Sequence, residues 1–190
     1  MFLAFALSVS LLAAPIPQQA AAADNAEMKA LFDADQAVRA GLKPEQVADR
    51  AFVLKMIADD RQRRATVREL LDRGALQTGE DFYAAAFVFQ HGSTAEDYLL
   101  AHSLAMAAMA KGKAEANWIA AATLDRYLQK VGQKQIYGTQ YITSKEAGPT
   151  MEPYDRALVP DRLRAALAVP EQPAQDARLS AMKAALPPAK

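Results

Sequence analysis

His91 and His102 are the only two histidines in this chain, and histidine is the side chain whose unperturbed titration falls near neutral pH, so general acid–base chemistry would start from one of them. His91 has the companions such chemistry needs. As a general base it would be oriented by Asp125, which could also carry a proton, while Arg126 would stabilise a developing anion in a hydrolase or transferase. No nucleophile accompanies them, because the chain has no cysteine and lacks the G-x-S-x-G elbow. His91 also has a plainer use, since a histidine in the last turn of a helix can bond free carbonyls and favours the negative end of the dipole. Both readings stand at this level. His102, eight residues into a helix, is expected at mid-height among its neighbours, bonded to a tyrosine or an acid as a core histidine. Those eight residues displace it about 12 Å from the turn beside His91. With two histidines and no thiolate, a multi-histidine or thiolate metal centre is excluded, and no metal or other cofactor is expected.

A different chemistry is suggested by Gln90 and the amide-rich run Gln135, Tyr137, Thr139 and Gln140. Glutamine amides both donate and accept hydrogen bonds and do not titrate, which suits recognition. Asp35 and Arg39 add an i,i+4 ion pair near the start of the chain. The charged stretch 59–64, with Asp59 and Arg63, then Asp60 and Arg64, at the same spacing, reads as a solvated helix face.

These residues must be positioned by helices. Alanine dominates the apolar fraction of 52% and aromatics are only 7%, a balance that suits closely packed helices over a sheet. Helical periodicity predicts segments over 27–40, 44–73, 78–91, 94–111 and 114–132, each closed by a glycine at or just past its end. Thr78 with Asp81 and Thr94 with Asp97 have capping-box spacing, and Pro44 suits a first turn. The expected architecture is all-α: an antiparallel bundle or helical-hairpin array of about five helices. It brings His91 to the end of the bundle where 135–140 emerges, with 133–143 extended and a short helix over 161–167. Residues 24–168 form the single expected domain, and 169–190, rich in proline and alanine, is expected to be disordered.

The first 23 residues have the form of an export signal. An apolar run over 2–14 is too short to span a bilayer, Pro15 and Pro17 break it, and alanines at 20–23 supply a small-residue cleavage site, although no Lys or Arg precedes the run. Cleavage would leave no stable membrane span and a periplasmic or secreted protein. Lys+Arg and Asp+Glu are 22 each, so no basic excess draws it to nucleic acid. ATP and nicotinamide motifs are absent, and the partners to expect are a small polar ligand, a peptide or a cell-envelope component.

Taken in order, Asp35-Gln36 with Arg39, Gln90-His91, Asp125-Arg126 and Gln135 with Tyr137-Gly138-Thr139-Gln140 resemble the motifs of the bacterial domain-of-unknown-function family 6624. The likeness spans roughly 28–167, and Asp161, Arg162 and Arg164 resemble its closing segment. It implies that Gln90, His91, Asp125, Arg126, Gln135, Tyr137, Thr139 and Gln140 form one polar cluster, and it implies no reaction. Gly92-Ser93 stand where the family often has an acid, so no role for that acid transfers to this chain.

Overall fold

The computed structural model describes residues 22–144 and 148–186, which leaves nearly all of the expected export signal outside the described residues. The protein is mostly helical. Helices α1 (Ala26–Arg39), α2 (Pro44–Ala48), α3 (Arg50–Asp72), α4 (Gly79–Phe89), α5 (Ala95–Ala110) and α6 (Ala116–Lys130) come first. A two-stranded hairpin follows, β1 (Ile142–Ser144) against β2 (Gly148–Thr150), and then α7 (Asp161–Ala166) and α8 (Gln172–Ala184). The hairpin is antiparallel, with Ile142 opposite Thr150 and Ser144 opposite Gly148.

Local chemistry sets most of the boundaries. Thr78 Oγ1 accepts from the Asp81 N–H at 3.0 Å while Asp81 Oδ2 accepts from the Thr78 N–H at 3.1 Å, and Thr94 with Asp97 repeats this at 3.1 and 3.2 Å. These reciprocal caps satisfy the free donors at the starts of α4 and α5. The segment predicted as one helix from Pro44 to Arg73 is two, because Asp49 adopts an extended conformation and its carboxylate caps the N–H groups of Ala51 and Phe52. The described residues hold eight helices where about five were expected.

The core lies between α1, α3, α4, α5 and α6, with α5 packed on both α4 and α6. Ala85, Ala86, Ala101, Ala105 and Ala108 are fully buried there, so the helix backbones approach closely. Aromatic contacts run along one side, from Phe32 to Phe87 at 5.7 Å and from Phe87 to a stacked Trp118 at 6.4 Å.

Two expectations are corrected. The run 59–64 is no solvated face, because Asp60 and Arg63 are buried on the same stripe of α3 as Val67 and Leu70. Their spacing continues the apolar period, which makes the stripe amphipathic by position and not by residue type. Most of the C-terminal stretch expected to be disordered is also ordered. Helix α8 opens with Pro173 in its first turn, where proline is favourable, and Gln175 is buried.

Candidate functional site

The predicted site residues separate into three places. Around α1, the buried Asp35 carboxylate accepts from Gln36 Nε2 at 2.8 Å and Arg39 Nη1 at 3.0 Å, and it faces His91 Nδ1 at 3.1 Å. A carboxylate only accepts, so this bond fixes the histidine proton on Nδ1. Arg39 also reaches Asp60 at 2.7 Å, Arg63 pairs with Asp60, and Arg64 donates to the His91 carbonyl at 2.9 Å. This network ties α1 to α3 and to the end of α4. Gln90, the C-cap residue of α4, is buried beside it, with its backbone N–H donating to Ala86 O at 2.9 Å.

The second place surrounds Asp125, which is fully buried on α6. Oδ1 accepts from the N–H groups of Ile136 at 2.8 Å and Tyr137 at 3.0 Å, and Oδ2 accepts from the Thr139 N–H at 2.9 Å and hydroxyl at 2.7 Å. The consecutive donors form a backbone nest around the anion, and Gly138 at φ +73° supplies the left-handed turn that aims them. The carbonyls on the other side of the same loop meet a cation: buried Arg164 donates to Ile136 O at 3.1 Å and to Tyr137 O. Gln135 is buried too, accepting from the Gln140 N–H at 3.0 Å and donating to Gln140 O at 3.0 Å. Gln175 closes the cluster, donating to Tyr137 O at 2.6 Å and accepting from the Tyr154 hydroxyl at 2.9 Å. Burial pushes the Tyr137 and Tyr154 phenols up, and the Arg164 guanidinium partly opposes this. Four strong donors occupy all the accepting capacity of Asp125. It holds the loop and has no lone pair left to orient a histidine.

Arg126 points elsewhere. One residue on from Asp125, it lines an open cleft of about 400 Å³ with Tyr98, Gln129, Lys130, Gln140, Tyr141 and Ile142. Arg126 Nε and Gln129 Nε2 are buried donors with no hydrogen-bond partner among the described residues. Burial pushes the Arg126 guanidinium down from its ordinary value, and what opposes that shift is the Tyr98 hydroxyl and not a carboxylate. The Tyr98 hydroxyl in turn donates to Gly92 O at 2.9 Å. The cleft therefore carries two cations, two amides and two phenols, and its lining contains no acid.

Of the residues singled out in the sequence, Asp35, Arg39 and His91 meet one another, as do Asp125, Gln135, Tyr137, Thr139 and Gln140. Gln140 links the second place to the third, since its backbone joins the loop cluster while its residue lines the cleft. His102 is half-buried with Nδ1 2.9 Å from Ala120 O, so its partner is a backbone carbonyl and not the expected tyrosine or acid. Sequence reasoning missed Tyr98, Gln129 and Lys130, although Gln129 lies one turn after Arg126 and Tyr98 one turn after the Thr94 cap. It also missed Asp60, Arg63, Tyr154 and Gln175.

Among the described residues no group of three or more His, Cys, Asp or Glu is arranged to hold a metal ion, and no helix is long and apolar enough to cross a membrane. Comparison of the chain with family models, curated proteins and solved structures returns no match.

Proposed function

We propose that this protein is an exported binding module whose cleft beside Arg126 takes a small anionic, hydrogen-bonding ligand. The observation that carries the reading is a cleft lined by Arg126, Gln129 and Lys130 and by no acid, with Arg126 Nε and Gln129 Nε2 left unpartnered in the residues of its wall. Buried polar groups are normally paired, and a half-buried guanidinium is matched best by a carboxylate or phosphate that accepts two of its donors at once. The volume lies in the range of small-molecule sites. The loop beneath is rigid because Asp125, Gln135 and Arg164 hold it, so Gln140 and Tyr141 present a preformed wall. The resemblance to family 6624 contributes Arg126 and Gln140 to this wall through its Asp-Arg and Gly-Thr-Gln segments. Export would direct the module to ligands of the cell envelope or its surroundings.

The test is calorimetric titration with citrate and with inorganic phosphate at low ionic strength, on the wild-type protein and on Arg126→Gln. The reading expects saturable binding that the variant weakens by about ten- to a hundred-fold. Absence of heat with every anion tried would sink it.

A second reading, a hydrolase or transferase with His91 as general base, draws on the Asp35–His91 hydrogen bond, which orients the ring and leaves Nε2 as the basic nitrogen. Its orienting acid would then be Asp35. A His91→Ala variant that keeps every hydrolytic activity found in the wild type would eliminate it.

A further inference from the structure

Resting on the anion-binding reading, we infer that the ligand is an acidic oligosaccharide, bound across the Arg126 cleft and a neighbouring groove at Trp118. That groove, of about 180 Å³, is lined by Trp118, Tyr141, Pro170 and Arg178 with the loop residues Gly138 and Thr139. Tyr141 lines both depressions, so they adjoin at this residue. Trp118 and Arg126 lie eight residues apart on α6, about 12 Å along the helix, which is longer than a single sugar ring.

The chemistry of the two halves differs as an acidic glycan requires. Trp118 is 41% exposed, with its ring stacked on Phe87 at 6.4 Å. The Tyr141 hydroxyl donates a long bond to Gln175 O at 3.4 Å, and the Arg178 guanidinium lies 4.9 Å over its ring. Flat aromatic surfaces suit the C–H face of a pyranose, while the Gln129 amide, whose Nε2 has no partner, suits its hydroxyls. Neither depression is lined by an acid, and three cations, Arg126, Lys130 and Arg178, stand along the path. The nearby Asp176 carboxylate is engaged by Arg156 at 2.8 Å.

A peptide bound by backbone pairing fits less well. The N–H groups of residues 136, 137, 139 and 140 are already consumed by Asp125 and Gln135. What the walls offer is side-chain hydrogen bonding and stacking.

Trp118 is the single tryptophan of the chain, so emission excited selectively at tryptophan, beyond the absorption of the six tyrosines, reports on the groove. The experiment titrates the full-length protein with galacturonic acid, its linear oligomers, neutral malto-oligomers and oligoglutamate. Fluorescence and calorimetry are both recorded, on wild type, Arg126→Gln, Trp118→Ala and Arg178→Gln, each checked for folding by circular dichroism. The inference expects the acidic oligomer to shift Trp118 emission and to bind about ten-fold or more tighter than the monomer. Trp118→Ala and Arg178→Gln should erase that gain and leave monomer binding unchanged, whereas Arg126→Gln should weaken both. It is overturned if the acidic oligomer binds no tighter than the monomer, if Trp118 emission stays constant, or if malto-oligomers or oligoglutamate bind as well. Monomer binding without an oligomer gain defeats this inference and spares the anion-binding reading, and binding of no anion at all defeats both.

Discussion

Asp125 and Thr139 are joined twice, the backbone N–H of Thr139 donating to Asp125 Oδ2 at 2.9 Å and its hydroxyl to the same oxygen at 2.7 Å. This double tie, with the two N–H bonds to Oδ1, makes the 135–140 loop a fixed wall and not a mobile flap. Removing the hydroxyl with Thr139→Val deletes a hydrogen bond to a charged group and the acceptor that Gln140 Nε2 uses at 2.9 Å. The expected loss is about 1.5–3 kcal/mol. Asp125→Ala strands four donors and should lose about 3–5 kcal/mol. Thermal melts followed by circular dichroism measure both.

Arg126 should behave oppositely. A half-buried guanidinium whose Nε has no partner is a cost in the free protein, so Arg126→Met should leave the melting temperature unchanged or raise it while abolishing anion binding. The two readouts, melting and calorimetry, separate a binding residue from a structural one.

The ion network on α1 and α3 should be structural and strong. Asp35→Ala leaves Arg39 and His91 without their shared acceptor and is expected to lose about 3–5 kcal/mol, seen as a lower urea midpoint at unchanged slope. The exposed Lys55–Asp59 pair at 2.6 Å is the control, and Asp59→Ala should stay within about 0.5 kcal/mol of wild type.

Tyr83, Tyr137, Tyr141 and Tyr154 all have phenols pushed above the ordinary value of 10.0 by burial. A raised folded pKa means the native state holds its protons longer than the unfolded one. The contribution to stability is therefore complete below pH 10.0 and is lost as pH rises beyond it. Melting temperature should fall above that pH, and phenolate absorbance should rise together with unfolding.

The C-terminal helix gives a further test. Gln175 donates to Tyr137 O at 2.6 Å and to Pro170 O at 2.8 Å, and accepts from the Tyr154 hydroxyl. Gln175→Ala leaves buried groups unpaired and should lower stability by about 1–3 kcal/mol. A disordered tail would tolerate the change, so the melt distinguishes the two descriptions.

What the sequence shows and what it conceals follow from the range of the interactions. The Thr78–Asp81 and Thr94–Asp97 caps are complete within four residues, and they are visible as spacing alone. The break at Asp49 is also local, but the apolar period continues across it and hides the cap. Asp60 and Arg63 look solvated because their partners Asp35 and Arg39 stand more than twenty residues away, on another helix. The same holds at the candidate site. That Asp125 and the Gly-Thr-Gln run share one cluster is what the family resemblance implies, and helical spacing alone does not reach it. That Arg164 and Gln175 clamp the far side of the loop depends on contacts across 27 and 38 positions. The divergence of Asp125 and Arg126 is legible from helix geometry, since adjacent residues face different directions. Which of the two faces open space is a tertiary fact.

Arg126 is the proposed anion-binding residue, and the most direct measurement is heteronuclear NMR of the arginine Nε–H signals during titration with citrate. Saturable movement of the Arg126 Nε–H signal, identified by its loss in Arg126→Lys, is the predicted result. A titration in which that signal stays fixed while the signals of exposed arginines drift with ionic strength would contradict it.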